Sequence, residues 1–137
     1  MKTTNHSEYL KLKEVYLKPA KSAFVSEEIL SYQWDELNYL SKPDLVSSLE
    51  EYEIFKSIFD KNGIETRFFP FDETVKMDSI YCRDASIATD YGMIICNMRK
   101  GGRLNEPQSH LEIYKEKDIP VLGIIEAQIE SAQRMIM

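Results

Sequence analysis

Asp78-Ser79-Ile80-Tyr81-Cys82-Arg83-Asp84 is the stretch on which the fold and the chemistry of this chain turn. Its two carboxylates stand six residues apart. In an ideal strand that even spacing puts both on one face, but roughly 20 Å apart. Such a pair cannot grip one small cation. It meets opposite ends of one ligand only where the backbone curls between the acids. Arg103 follows nineteen residues after Asp84, beyond hairpin punctuation at Asp90-Tyr91-Gly92 and the pair Gly101-Gly102. A folded-back hairpin brings it near the acids. Two carboxylates and one guanidinium then make a cradle for a zwitterion with a cationic tail. The acids take the ammonium and the guanidinium, and the arginine takes the carboxylate as a bidentate partner. Each acid taken alone is better read as a loop cap bonded to its own backbone.

Outward from this stretch, the first half of the chain reads as a strand followed by helices. Val15 to Leu17 alternates as a short strand and is closed by Pro19. Ser26 is an N-cap, with Glu27 and Glu28 opposing the helix dipole and Ile29, Leu30, Trp34, Leu37 and Leu40 at helical spacing. Pro43 to Lys61 reads as a helix with Pro43 in its first turn. Leu45, Val46, Leu49, Tyr52, Phe55, Ile58 and Phe59 form its apolar stripe, and Asn62-Gly63 ends it. Ile64 to Phe69 is a strand ended by Pro70.

Beyond Asp84, Ser86 to Thr89 and Met93 to Asn97 form a hairpin. Asn105 caps a further helix that carries Pro107, Leu111, Ile113 and Tyr114, with His110 expected as a surface or half-buried residue. Ile119 to Ile125 is an apolar run of the kind that forms a buried strand. Phe68, Phe69 and Phe71 with Tyr81 are expected in the core, and Cys82 reads as a small apolar residue rather than a nucleophile. Alternating strands and helices place the chain in the α/β or α+β class.

The 137 residues suffice for one domain, and the composition, 43% hydrophobic and 29% charged, is that of a globular chain. A net charge of −6 argues against nucleic acid as a partner. No apolar run is long enough to cross a bilayer, and Met1 to Glu8 is polar rather than a signal peptide. Two cysteines, without C-x-x-C spacing, make neither a disulfide framework nor a metal site and point to a reducing cytoplasm.

Asp78 to Ala85, then Thr89-Asp90-Tyr91-Gly92, Arg103 and Gly123-Ile124-Ile125-Glu126 resemble the N-terminal half of the guanidino-group-modifying enzymes, the penteins. These are the amidinotransferases, dimethylarginine dimethylaminohydrolases and arginine deiminases. The resemblance runs from about Val15 to about Glu126, and its diagnostic part is Asp78 to Arg103. It implies a partial α/β propeller of ββαβ blades. Residues 1–137 would be a single domain with a core over about 15–126 and a tail over 127–137. It also implies that Asp78 meets the α-amino group of an arginine-like substrate, Asp84 its guanidinium and Arg103 its α-carboxylate. Glu126 would close a strand beside the site and orient the guanidinium or a catalytic histidine. No cofactor or metal is implied.

Arg83 stands where dimethylargininases carry an acid and is more like the amidinotransferases and deiminases, so transfer and hydrolysis both stay open. The family's histidine and nucleophilic cysteine lie in the half that would follow Met137. There the thiolate attacks the guanidinium carbon and the imidazole moves protons. Cys82, Cys96, His6 and His110 do not match those positions. The chain is therefore expected to hold substrate without turning it over alone, as a homo-oligomer or with a complementing C-terminal chain. A non-catalytic guanidino-ligand or protein-binding domain and a truncated product are the alternatives.

Overall fold

A computed structural model of the chain describes residues 6–126. The tail expected over 127–137, including Met135 to Met137, lies outside the described residues. The chain divides into two compact units, one over Ser7–Cys82 and one from Arg83 onward, which His6 joins.

In the first unit, β1 (Glu14–Leu17) and β2 (Glu65–Phe68) pair in parallel, with Glu14 opposite Glu65 and Leu17 opposite Phe68. Facing carboxylates would repel, and Arg67 relieves this by reaching Glu14 at 2.8 Å and Glu65 at 3.7 Å. Parallel strands need a long crossover. Here it is a short helix α1 (Ala20–Ala23), then α2 (Glu27–Gln33) and α3 (Leu45–Lys61). The core gathers Ala23, Phe24, Leu30, Leu37 and Met77, with Trp34, Tyr39, Leu45 and Ile80 packed against it.

Ser26 caps α2 as expected, its hydroxyl accepting the Ile29 N–H at 3.2 Å. Val25, directly before that cap, adopts φ +63°, a conformation costing about 1–3 kcal/mol for a residue with a Cβ. α2 stops at Gln33, short of the stripe that runs to Leu40. Asn38 turns the chain with φ +67°, the Tyr39 N–H returns to the Trp34 carbonyl, and Leu40 projects into solvent.

α3 begins at Leu45, one turn signal later than expected. Asp44, not Pro43, supplies the start, its carboxylate accepting the Ser47 N–H at 2.8 Å and held below its ordinary range by that bond. Asn62 and Gly63 (φ +68°) end it as expected. The long apolar stripe is only half covered. Leu45, Leu49, Tyr52 and Phe59 are half-buried, whereas Val46, Ile54, Phe55 and Ile58 are exposed, and no residue of α3 is buried. The helix packs on β2 and α1, and a sheet of two strands is too narrow to cover a wide stripe. Of the four aromatics expected in the core only Phe69 is there, its ring 5.1 Å from that of Tyr16. Phe68, Phe71 and Tyr81 face solvent.

The second unit has the order ββαβ. A hairpin of β3 (Ser86–Thr89) and β4 (Gly92–Ile95) turns at Asp90-Tyr91, with the Thr89 hydroxyl donating to the Gly92 carbonyl at 2.6 Å. α4 (Glu106–Glu116) follows, and β5 (Val121–Ile124) returns parallel to β4, giving the sheet order β3-β4-β5. The apolar run Ile119 to Ile125 is not the buried strand its composition suggests. β5 is shorter, stands at the sheet edge among the described residues, and leaves Leu122, Ile124 and Ile125 exposed. The described sheets have two and three strands. They establish a mixed α/β chain, and a propeller is not displayed by them.

Gly92 is where the second sheet closes. Its φ of +135° is open to glycine, and a Cβ there would stand 2.9 Å from the Pro120 carbonyl oxygen and 3.0 Å from the Leu122 nitrogen. That close approach lets the Met93 N–H reach the Pro120 carbonyl at 2.8 Å. Gly92→Ala is expected to destabilise the protein by about 1–3 kcal/mol through strain and displaced backbone. Gly101→Ala, where a Cβ meets nothing within 4 Å, is expected to stay within about 0.5 kcal/mol of wild type. Paired urea-unfolding curves measure both, and equal midpoints would show that β5 does not depend on this contact.

Candidate functional site

The segment between the two acids curls. Met77–Ile80 and Cys82–Asp84 are successive 3-10 turns rather than a strand. Asp84 closes the second of them and belongs to the second unit. There it meets Arg103, whose Nη1 donates to Asp84 Oδ2 at 2.8 Å. Arg103 ends its own 3-10 turn, Gly101–Arg103, where its backbone N–H bonds the Lys100 carbonyl at 2.9 Å.

Arg103 is also held by a residue the sequence reading overlooked. Glu106, the first residue of α4, accepts from Arg103 Nε through Oε2 and from Nη2 through Oε1, both at 2.8 Å. This is the parallel two-bond geometry in which guanidinium and carboxylate fit best. Glu106 is 1% exposed and the Arg103 side chain 10%, whereas the Asp84 side chain is 52% exposed. The position at the start of α4 also favours a negative charge. The hydrogen bonds that Arg103 donates to Glu106, against the opposing effect of burial and with help from Asp84, hold the ionisation of the guanidinium well above its ordinary range. The result is a row of charges, buried acid, buried base, half-exposed acid. A signal was present in the sequence: an arginine and a glutamate three residues apart across a helix start.

Asp78 lies in the first unit and is 3% exposed. Its 3-10 turn is fastened to α2, with the Met77 N–H donating to Gln33 Oε1 at 2.8 Å and Lys76 bridging to Glu36 at 2.5 Å. The buried phenol of Tyr39 stands beside Asp78 without a well-formed hydrogen bond. Burial first, and then the neighbouring carboxylate, push its ionisation far above the ordinary tyrosine range.

Glu126 belongs to the second unit and lines an open cleft of about 340 Å³ with Ile95, Cys96, Leu104, Leu111 and Ile125. Burial raises the Cys96 thiol above its usual range, the opposite of what a thiolate nucleophile needs. Cys82 is half-buried with its sulfur 3.9 Å from the Tyr16 carbonyl. His110 is neither the surface nor the half-buried residue expected. It is 5% exposed, and its Nδ1 lies 2.8 Å from the Ser86 hydroxyl, which also meets the Tyr114 hydroxyl at 2.6 Å. These three groups tie α4 to β3. Of the four residues singled out from the sequence, Asp84 and Arg103 are therefore brought together. Glu126 lies on the cleft of the same unit, and Asp78 is placed in the other.

No family model matches the chain, and no curated protein sequence matches it. Solved structures do. The chain is similar to a dimethylarginine dimethylaminohydrolase crystallised as an adduct with 4-chloro-2-hydroxymethylpyridine, at TM-score 0.63 and 20% identity, over 85% of this chain and 42% of that one. It is similar to a histidine-to-glycine variant crystallised as an adduct with S-methyl-L-thiocitrulline, at TM-score 0.61 and 20% identity, over 85% and 43% of the two chains. It is also similar to a cysteine-to-serine variant of the Pseudomonas aeruginosa enzyme crystallised with citrulline, at TM-score 0.59 and 21% identity, over 86% and 43%. The chain thus shares its fold with part of the dimethylarginine dimethylaminohydrolases and spans less than half of their length.

The burial difference between the two acids gives a direct test. Glu106→Ala is expected to cost about 3–5 kcal/mol, because it strips a buried guanidinium of its two-bond partner. Asp84→Ala is expected to cost no more than about 1 kcal/mol, as for a pair open to water. Chemical denaturation of the two variants measures this, and the reverse order would overturn the assignment of Glu106 as the anchor.

Proposed function

We propose that this chain is the ligand-holding portion of a protein that acts on a guanidino compound, in the manner of the guanidino-group-modifying enzymes. One observation carries the reading: Asp84 presents a half-exposed carboxylate whose other side is fixed by the buried Arg103–Glu106 pair. A carboxylate held in place is a ready acceptor for the flat, multiply donating face of a guanidinium. The shared fold with the dimethylarginine dimethylaminohydrolases supports a ligand of this shape, since one of those structures holds citrulline and another an adduct with S-methyl-L-thiocitrulline, whose flat ureido and isothiourea groups resemble a guanidine.

The wider reading takes residues 1–137 as a single domain and the N-terminal portion of an α/β propeller. Asp78, Arg103 and Glu126 keep the roles the resemblance gives them: acceptor for an amino group, partner of a carboxylate, and orienting acid. Each is tested by its own substitution. Cleavage or transfer at the guanidinium carbon requires a thiolate and an acid–base imidazole. The raised Cys96 thiol and the hydrogen-bonded, buried His110 suit neither task, so this chain recognises and another segment or chain reacts. A binding domain without chemistry uses the same acceptor.

Calorimetric titration of the chain with arginine, its methylated forms and agmatine tests the recognition step. Saturable binding of at least one guanidine is expected, weakened ten-fold or more in Asp84→Asn. That loss corresponds to about 1.4 kcal/mol or more. Equal affinity in wild type and variant, or no binding of any guanidine, would sink the proposal.

A further inference from the structure

α3 packs on its own unit by one side only. Leu45, Leu49, Tyr52 and Phe59 on that side are half-buried. The opposite side carries Ser47, Glu51, Ile54, Ile58 and Lys61, all exposed. Their spacing alternates between four and three residues, the seam along which one helix packs against another. Ile54 is 65% and Ile58 53% exposed, and Val46 and Phe55 flank them in solvent. One exposed isoleucine needs no explanation, whereas a row of apolar residues along one helix face marks a contact surface. We infer that two copies of this chain associate through this seam, as an antiparallel pair of α3 helices about a two-fold axis.

The charges choose the occupant and its direction. In an antiparallel pair with Ile54 of one copy against Ile58 of the other, a step of three residues outward along both helices sets Glu51 against Lys61. The axis repeats both contacts, so a single face supplies the whole self-complementary set. A parallel pair would set Glu51 on Glu51 and Lys61 on Lys61. Among the described residues neither Glu51 nor Lys61 has an ion-pair partner within the chain, so both are available to a second copy. Lys56, the other cation of α3, is turned to the packed side, over the Phe68 ring at 5.6 Å. Glu50, at the border of the seam, falls opposite Asn62 and meets no like charge.

Sedimentation equilibrium of the full chain tests this. One helix pair is a small interface, so the dimer is expected to form over roughly 10–500 μM and to return the seam to water on dilution. Lys61→Glu sets like charges at both ends of the contact and is expected to raise the dimer Kd about ten-fold or more at low salt. Glu51→Lys is expected to weaken the dimer as well, although it brings the chain closer to neutrality. The double exchange, Glu51→Lys with Lys61→Glu, keeps the net charge and is expected to restore the dimer. A monomer at every concentration overturns the inference. So does a dimer that Glu51→Lys strengthens or leaves unchanged, since association then follows net charge or another surface. A double variant no better than the two single ones overturns the antiparallel register and the inference with it.

Discussion

The second unit is organised around one buried ion pair, Arg103 with Glu106. Removing two charges from water is costly, and the pair persists because the geometry is the best available to these groups. It joins the end of one 3-10 turn to the first turn of α4 and so sets where that helix starts. α4 in turn covers β4 and brings His110 and Tyr114 to Ser86. Asp84 is the only member of the row that water reaches freely. Its position is inherited from the pair behind it.

Much of this was legible in the residues, and the gaps have physical causes. Capping and turn signals were dependable, because they depend on a few neighbouring atoms. Ser26, Asn62-Gly63 and Asp90-Tyr91-Gly92 all act where their types suggest. Between Asp78 and Asp84 the backbone curls in two tight turns in place of an extended strand. Burial was read less well. Apolar spacing along α3 and the run around β5 report what each element is able to bury, not what the rest of the chain offers to cover it. Leu122 and Ile124 are exposed on a strand at the edge of a sheet that has three strands among the described residues, and Phe71 and Tyr81 lie exposed outside the strands.

Polar residues hidden by packing were the other gap. Glu106 looks in sequence like an ordinary acid in a helix's first turn, and His110 like a surface or half-buried residue of the same helix. Both are interior, because α4 lays the face carrying residues 106, 107, 110, 111 and 114 onto the sheet. Those positions are three or four apart, so the pattern was available. It was obscured by reading charge and imidazole as marks of the surface. The interior of this unit is held partly by hydrogen bonds and charge, beside Ala85, Ile95 and Leu111.

The bare second stripe of α3, with Val46, Ile54, Phe55 and Ile58 in water, bears on how folding of this protein is followed at the bench. Fluorescent dyes such as ANS brighten on exposed apolar surface and are commonly read as a sign of loosened packing. On this chain a native, intact helix offers them a landing place, so their signal does not discriminate folded from partly folded forms. Trp34, the single tryptophan, is the better optical probe, since it sits against the core of the first unit and loses that environment when the unit opens.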